Sequence, residues 1–406
     1  MSEPDVSNLL TVAQAIEIID HADVHPRVIT APLRDALGLR LARDIIADRD
    51  APPFDKSLMD GFAVRCADTR AQNAQLNVVD EIAAGSSASR ALGPGEAMAI
   101  MTGAPLPQGA DGVVPVEEAM RAGNSVVISA RPVAGRYITR KGGDCAAGSV
   151  VLTRGTKLGP AQIAVAASVG ASQVEVFGAP RVAVLATGDE LVDVSRPPGG
   201  AQIRNSNNLM LAALLRRLHG CAADDFGIAG DDHLAIESGV LRGLERDALF
   251  ISGGMSMGTH DLVPRVLASL GAVVLITKLR IKPGKPFVYA YIDRGEHRCH
   301  VFGLPGNPVS GFACTIRLAS RLLTRLAGGD PADKWVHATL DSPLPANGPR
   351  EFYQPASHND GVVTPLQWKG SADVFTLAKA NAMIVRTENE PALEAGARVR
   401  LLEIPS

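Results

Sequence analysis

The chain has 406 residues, more than one ordinary hydrophobic core organises, so two to four domains are expected. Only 4% of residues are aromatic, while 40 Gly and 27 Pro favour tight turns and Gly-rich loops over an all-helical bundle. A net charge of -3 argues against a whole-molecule field for nucleic acid, and no apolar run approaches the ~20 residues of a membrane helix. Any anion site must therefore be a local cluster.

In chain order, the acidic N-terminus lacks the basic and apolar regions of a secretory signal, which places the chain in the cytoplasm. Cysteines 66, 145, 221, 299 and 314 form no C-x-x-C pair and are odd in number, so they read as scattered reduced thiols. Residues 11–22 form an amphipathic helix with Thr11 as cap and Val12, Ala15, Ile16 and Ile19 on one face. From about 45 to 145 the chain is turn-rich and Val-rich, with short alternating runs such as Ser125-Val126-Val127-Ile128, a β-rich insertion. A second helix spans 159–170.

At residue 180 the pattern changes. Three short apolar strands, 181–186, 247–251 and 300–304, each run into an unusual loop and then a helix. The loops are Thr187-Gly188-Asp189-Glu190, Ser252-Gly253-Gly254-Met255-Ser256-Met257-Gly258 and Pro305-Gly306-Asn307-Pro308. The helix after the first strand starts with Asn205 or Ser206 as cap and carries Leu209, Leu211, Leu215 and Leu218 on one side; the others run from Leu262 to Leu270 and to Leu326. Strand–loop–helix repetition with continuous apolar strands predicts a doubly wound α/β domain with a parallel sheet. After Gly328-Gly329-Asp330-Pro331, alternating runs in 332–406 predict a small all-β domain.

Ligands of open α/β sheets sit beyond the carboxyl ends of the strands, which is where the three loops fall. Gly253, Gly254 and Gly258 let backbone N–H groups approach a ligand, and Ser252 and Ser256 add hydroxyls. The run Lys278-Leu279-Arg280-Ile281-Lys282-Pro283-Gly284-Lys285, if extended, places Lys278, Arg280 and Lys282 on one face, a rigid cationic strand suited to a phosphate or oxyanion. Asp189, Glu190, Asp231, Asp232 and Asp261 are each cap candidates singly, but as a group could hold Mg²⁺ through oxygen ligands. Residues 52–64 and 101–107 are non-periodic loops of functional type whose composition names no function.

Six ordered segments carry a resemblance over nearly the whole chain: Pro53 to Val64, Met101 to Pro105, Thr187 to Leu191, Ser252 to Gly258 with Asp261, Lys282 to Pro286, and Gly303 to Pro308. The chain resembles the molybdopterin molybdenumtransferases, the MoeA family and the matching domain of gephyrin. That resemblance implies four parts: a small helical linker domain (1–45 and 146–178), the β-rich insertion (46–145), a doubly wound pterin-binding α/β domain (179–328) and a C-terminal β-barrel (329–406). It implies a homodimer that inserts molybdate into adenylylated molybdopterin with release of AMP, assisted by Mg²⁺, with transient contact to the adenylyltransferase and to apo-molybdoenzymes. Family functional positions fall on Asp60, Thr102, Asp144, Glu190, Asp261, Lys278 and Lys282, and in the terminal domain on Arg350 and Ser371. One further aspartate is Asp231 or Asp232, of which Asp231 is taken. The substrate face adds Gly253, Gly254, Ser256, Gly258, Lys285, Pro305, Gly306 and Asn307, and Glu190 with Asp261 would hold the metal. Lys56, Leu58, Gly143, Met255 and Met257 depart from the family pattern.

Overall fold

The computed structural model describes residues 9–129, 131–255 and 262–405. Ser256, Gly258 and Asp261 lie outside the described residues. The chain divides into two compact units, a large one of Met1–Ile29, Gly38–Ala42 and Val176–Ser406, and a small one of Thr30–Leu37 and Arg43–Glu175.

Helix α1 (Val12–Asp20), in the large unit, starts where the sequence places it. The Thr11 hydroxyl accepts from the N–H of Gln14, and the Gln14 side chain accepts from the N–H of Thr11, a reciprocal cap. Val12, Ala15 and Ile19 are buried, the i, i+3, i+7 spacing of one helical face.

The small unit is built on a mixed six-stranded sheet. Its strands are β1 (Gly61–Val64), β2 (Ala74–Ile82), β3 (Glu96–Ile100), β4 (Gly112–Pro115), β5 (Ala119–Ala122) and β6 (Ser125–Ile128), in the order β4-β1-β3-β2-β6-β5. Alternation in β6 is as expected: Val126 and Ile128 are fully buried against Leu76 and Phe62 while Ser125 and Val127 face outward. Helix α2 (Pro160–Ser168) begins with Pro160 in its first turn, where a missing N–H costs nothing.

In the large unit the α/β part contains β7 (Val182–Thr187), α3 (Asn207–His219), β8 (Ala223–Ala229), α4 (His233–Gly243), β9 (Ala248–Ser252), α5 (Val263–Ser269), β10 (Val273–Ile276), β11 (Ile281–Lys282), β12 (Val288–Arg294), β13 (His297–Leu304), α6 (Pro308–Cys314) and α7 (Ser320–Leu326). The sheet order is β8-β7-β9-β13-β12-β10. Neighbours β8, β7, β9 and β13 are parallel, whereas β12 and β10 extend the sheet antiparallel. The sheet is therefore mixed at one edge and not wholly parallel, because β12 and β13 form a hairpin that needs no crossover.

Both faces are covered, as a doubly wound sheet requires. Val182 and Val184 of β7 pack with Leu211, Leu214 and Leu215 of α3, while Ala183 and Leu185 pack with Ile236 and Val240 of α4. Each fully buried aliphatic or aromatic side chain here contributes roughly 1.5–3 kcal/mol of apolar burial. Leu209, expected on the apolar face of α3, is instead 54% exposed. It lies two residues, about 200° of helical turn, from Leu211 and so on the opposite side.

A C-terminal sheet completes the large unit: β14 (Val336–Leu340), β15 (Glu351–Asn359), β16 (Val362–Pro365), β17 (Ala382–Arg386) and β18 (Arg398–Glu403), with α8 (Val374–Leu377) between β16 and β17. The order β11-β15-β16-β14-β18-β17, closed by pairing of β15 with β17, gives a small barrel. The lysine-bearing strand β11 joins this barrel, not the α/β sheet.

Candidate functional site

Strand register sets the site. Ala186 stands opposite Ser252, and Ser252 opposite Leu304, so β7, β9 and β13 end side by side. The loops at 188–190, 253–255 and 305–307 therefore share one sheet edge. The Gly253 N–H donates to the Leu304 carbonyl at 3.1 Å, which draws two of them together. At Gly253 φ is +91°, and a Cβ would fall 2.4 Å from the Thr187 carbonyl oxygen, so both conformation and space demand glycine. Met255, a departure from the family pattern, is buried against Gly303, where any Cβ would collide with its methyl group.

Thr187 Oγ1, Ser252 Oγ and Asn207 Oδ1 at this edge, and Asn208 Oδ1 beside β8, are buried without a hydrogen-bond partner among the described residues. A buried polar atom costs about 1–3 kcal/mol unless some group bonds to it. The other ends of the two asparagines are fixed. Asn207 Nδ2 donates to the Gly306 carbonyl at 2.7 Å, and Asn208 Nδ2 donates to Asp225 Oδ1 at 2.7 Å and to the Gly227 carbonyl at 3.0 Å. Asn207 and Asn208 were not singled out from sequence. The signal was the run Asn205-Ser206-Asn207-Asn208, more amides than one helix cap needs.

Beside the edge lies a cleft of about 530 Å³ lined by Asp189, Asp193, Arg196, Gln202, Asn205 and Asp225, with Leu209 on its wall. Asp189 accepts from the N–H of Asp231 at 2.9 Å. Asp232 caps α4, accepting from the Ala235 N–H at 2.9 Å, and both Asp231 and Asp232 are exposed. The Glu190 carboxylate folds back over Gly188.

On the barrel side, Asn307 Nδ2 donates to Ser371 Oγ at 2.9 Å, and the Val309 N–H donates to the Ser371 carbonyl at 3.0 Å. Asn307 and Ser371, 64 residues apart, are thus in direct contact. Leu279 and Ile281 are buried while Lys278, Arg280 and Lys282 face the other way, the alternation expected of an extended segment. Arg280 is 3.3 Å from Glu388, so its charge is partnered. Lys282 Nζ lies 4.5 Å above the ring of Phe352. Lys285 returns its carbonyl to the N–H of Leu279, and Arg350 accepts at its carbonyl from Asn347 Nδ2 at 2.9 Å. Among the described residues, no hydrogen bond or ion pair links Lys278, Lys282, Lys285 or Arg350 to Gly253, Gly254 or the Pro305-Gly306-Asn307 loop.

Asp60, Thr102 and Asp144 belong to the small unit. Asp60 Oδ1 accepts from both the N–H and the hydroxyl of Thr102, at 2.6 and 2.7 Å. The backbone N–H first, and then the hydroxyl, hold the Asp60 carboxyl below the usual carboxylate range. Asp144 pairs with Lys56 at 3.8 Å. Asp55 accepts from the Lys141 N–H and from Arg140, fixing the start of the loop that bears Asp60. At Gly143, a further departure, a Cβ would stand 2.9 Å from the Arg140 carbonyl.

The residues from 10 to 170 match the MoeA N-terminal region (domain I and II), 183–325 a probable molybdopterin binding domain, and 337–404 the MoeA C-terminal region (domain IV). A molybdopterin molybdenumtransferase of Nostoc sp. is 34% identical over 97% of this chain and 89% of its own length. The chain belongs to the MoeA family. A second relative of the same name, from Bacillus subtilis, is 33% identical over 97% of this chain and 94% of its own length. The solved molybdopterin biosynthesis MoeA protein from Pyrococcus horikosii superposes with a TM-score of 0.84 at 30% identity, covering 98% of this chain and 99% of that one. The MoeA family resemblance also implies a divalent metal. Among the described residues no three His, Cys, Asp or Glu side chains form a ligand cluster. Mg²⁺ needs no such cluster, since it keeps waters and takes one or two carboxylates plus substrate phosphates. Glu190, whose carboxylate folds over Gly188, offers hard oxygen donors of that kind. No helix among the described residues is long and apolar enough to cross a membrane.

Proposed function

We propose that this chain inserts molybdenum into adenylylated molybdopterin, releasing AMP and giving the molybdenum-loaded pterin. The observation that carries the reading is the shared edge of β7, β9 and β13, where Gly253 holds a left-handed φ and the buried Thr187 Oγ1, Ser252 Oγ and Asn207 Oδ1 have no partner among the described residues. A phosphorylated pterin supplies donors and acceptors of the kind those atoms lack.

In this reading the diphosphate lies along Gly253, Gly254, Ser256, Gly258 and the Pro305-Gly306-Asn307 loop, with Lys278, Lys282, Lys285 and Arg350 as its cationic side. Ser371 orients Asn307 through the 2.9 Å bond. Mg²⁺ on Glu190 and Asp261 would offset phosphate charge. Molybdate is a second anion, and holding two anions together is opposed by Coulomb repulsion, so the lysines serve proximity as well as binding. One water adds across the phosphoanhydride, freeing AMP and leaving the pterin phosphate, and the two dithiol protons go to one oxo group of molybdate, which leaves as water as the two sulfurs take its place. Asp231 in the large unit is the proposed proton-handling carboxylate there, and in the small unit Asp144 and Asp60, the latter kept ionised by Thr102, are the proposed catalytic carboxylates. The chain acts as a cytoplasmic homodimer, touching the adenylyltransferase and apo-molybdoenzymes only in passing.

The test is AMP release. Purified protein given adenylylated molybdopterin and Mg²⁺ should release AMP in a molybdate-dependent manner. Absence of AMP with intact substrate would reject the reading.

A further inference from the structure

We infer that Phe352, backed by Trp368, is a positioning residue for Lys282, holding the ammonium group in place through the face of its ring. The inference rests on the role proposed above for Lys282.

Three observations converge. Lys282 and Phe352 are register partners in the parallel pair of β11 and β15, so the backbone places the two side chains next to each other. Lys282 Nζ stands 4.5 Å above the Phe352 ring centroid, inside the ~6 Å at which a ring quadrupole attracts a cation. The Phe352 ring is itself stacked on Trp368, with centroids 5.9 Å apart and planes inclined by 26°. Lys282 has no carboxylate partner among the described residues, whereas neighbouring Arg280 is tied to Glu388.

A lysine carries a compact charge on four rotatable carbons, and ordering it against an anion costs side-chain entropy. A carboxylate partner would order it but compete with the substrate anion for the charge. An aromatic face orders the ammonium while leaving its positive charge unneutralised and its outward N–H donors available. Two stacked rings resist tilting better than one. Lys282 is thereby restricted before the substrate arrives, which raises the rate of a step that depends on its position.

The test uses the full chain and AMP release. Lys282→Met establishes whether the lysine matters. Phe352→Leu keeps apolar volume and removes the ring face, while Phe352→Tyr restores the face. Expected is a loss of about two- to fivefold in kcat for Phe352→Leu, the factor of an exposed cation–π contact, recovery in Phe352→Tyr, and no further loss when Phe352→Leu is added to Lys282→Met. A purely structural role would reduce both backgrounds alike. Independently of whether Phe352→Leu folds, isotope-labelled reductive methylation of the unmutated protein should give a Lys282 resonance moved upfield by the ring current, assigned by its loss in Lys282→Arg. An impaired Lys282→Met with a fully active Phe352→Leu, or a Lys282 resonance at the ordinary lysine position, overturns the positioning role alone. An unimpaired Lys282→Met overturns the lysine's own role and this inference with it.

Discussion

Gly253 and Gly306 face each other across the sheet edge, and alanine at the two positions should have opposite consequences. At Gly253 the left-handed φ of +91° costs a residue with a Cβ about 1–2 kcal/mol. The Cβ would also lie 2.4 Å from the Thr187 carbonyl oxygen, an overlap that backbone cannot relieve cheaply and that adds about 1–3 kcal/mol. Together these destabilise the large unit by about 3 kcal/mol, which lowers a melting midpoint by roughly 6–12 °C in a unit of this size. At Gly306 the nearest heavy atom to a Cβ is the Gly253 Cα at 3.7 Å, an ordinary contact, and its φ is not in the left-handed region. Gly306→Ala should melt with the parent protein. Its methyl group, however, would occupy the approach to the backbone N–H groups that the phosphates are proposed to use, so KM for adenylylated pterin should rise about tenfold, the weight of one strong charge-assisted contact. Calorimetry and AMP-release kinetics on the two variants suffice. A Gly306→Ala protein with parental KM and kcat would refute the placement of substrate at this edge. A Gly253→Ala protein with a parental melt would refute the steric argument itself.

Other outcomes are expected from the same geometry. Lys282→Ala should slow AMP release on the order of a hundredfold with an unchanged melt, and an unchanged rate would make Lys282 a surface charge. Thr102→Val removes the hydroxyl that stabilises ionised Asp60 but keeps the backbone N–H, so the Asp60 carboxyl should titrate at higher pH. Because the charged form is the one lost as pH falls, the acid limb of the activity profile should move upward; an unmoved limb would mean Asp60 does not control it. Exhaustive chelation should stop turnover without lowering the melting temperature, since one or two carboxylates hold a catalytic and not a structural ion. Thr11→Ala should cost about 1 kcal/mol of stability through the lost cap of α1, visible as a lower denaturation midpoint at constant activity.

Much of the fold was legible because it rests on local rules. Thr11 with Gln14, Pro160, and the buried alternation of Val126 and Ile128 all declare their elements in short windows of sequence. The three strand–loop–helix units were equally plain, since strands buried on both faces leave unbroken apolar runs. Long-range pairing was not legible. Nothing local says that Ile281-Lys282 pairs with Glu351-Phe352 of the barrel, or that Val273–Ile276 and Val288–Arg294 add an antiparallel edge. The placing of Leu209 on the apolar face failed because leucine content outweighed helical phase. At the site, glycines and charges announced themselves by composition, while Asn207, Asn208 and Phe352 matter through contacts 17 to 99 residues away for the asparagines, and across strands for the phenylalanine. Asp231 and Asp232 could not be separated in sequence; one hydrogen bond to Ala235 assigns Asp232 as a cap.

The central claim is molybdenum insertion, and reconstitution of an apo-molybdoenzyme tests it most directly. Adenylylated molybdopterin, Mg²⁺ and molybdate too dilute for spontaneous ligation would be incubated with this protein, and the apo-enzyme's activity followed. The account predicts activity that appears only with the protein present, scales with AMP released, and is nearly lost with Lys282→Ala. AMP release without molybdenum reaching the apo-enzyme, or equal activity with the protein omitted, would contradict it.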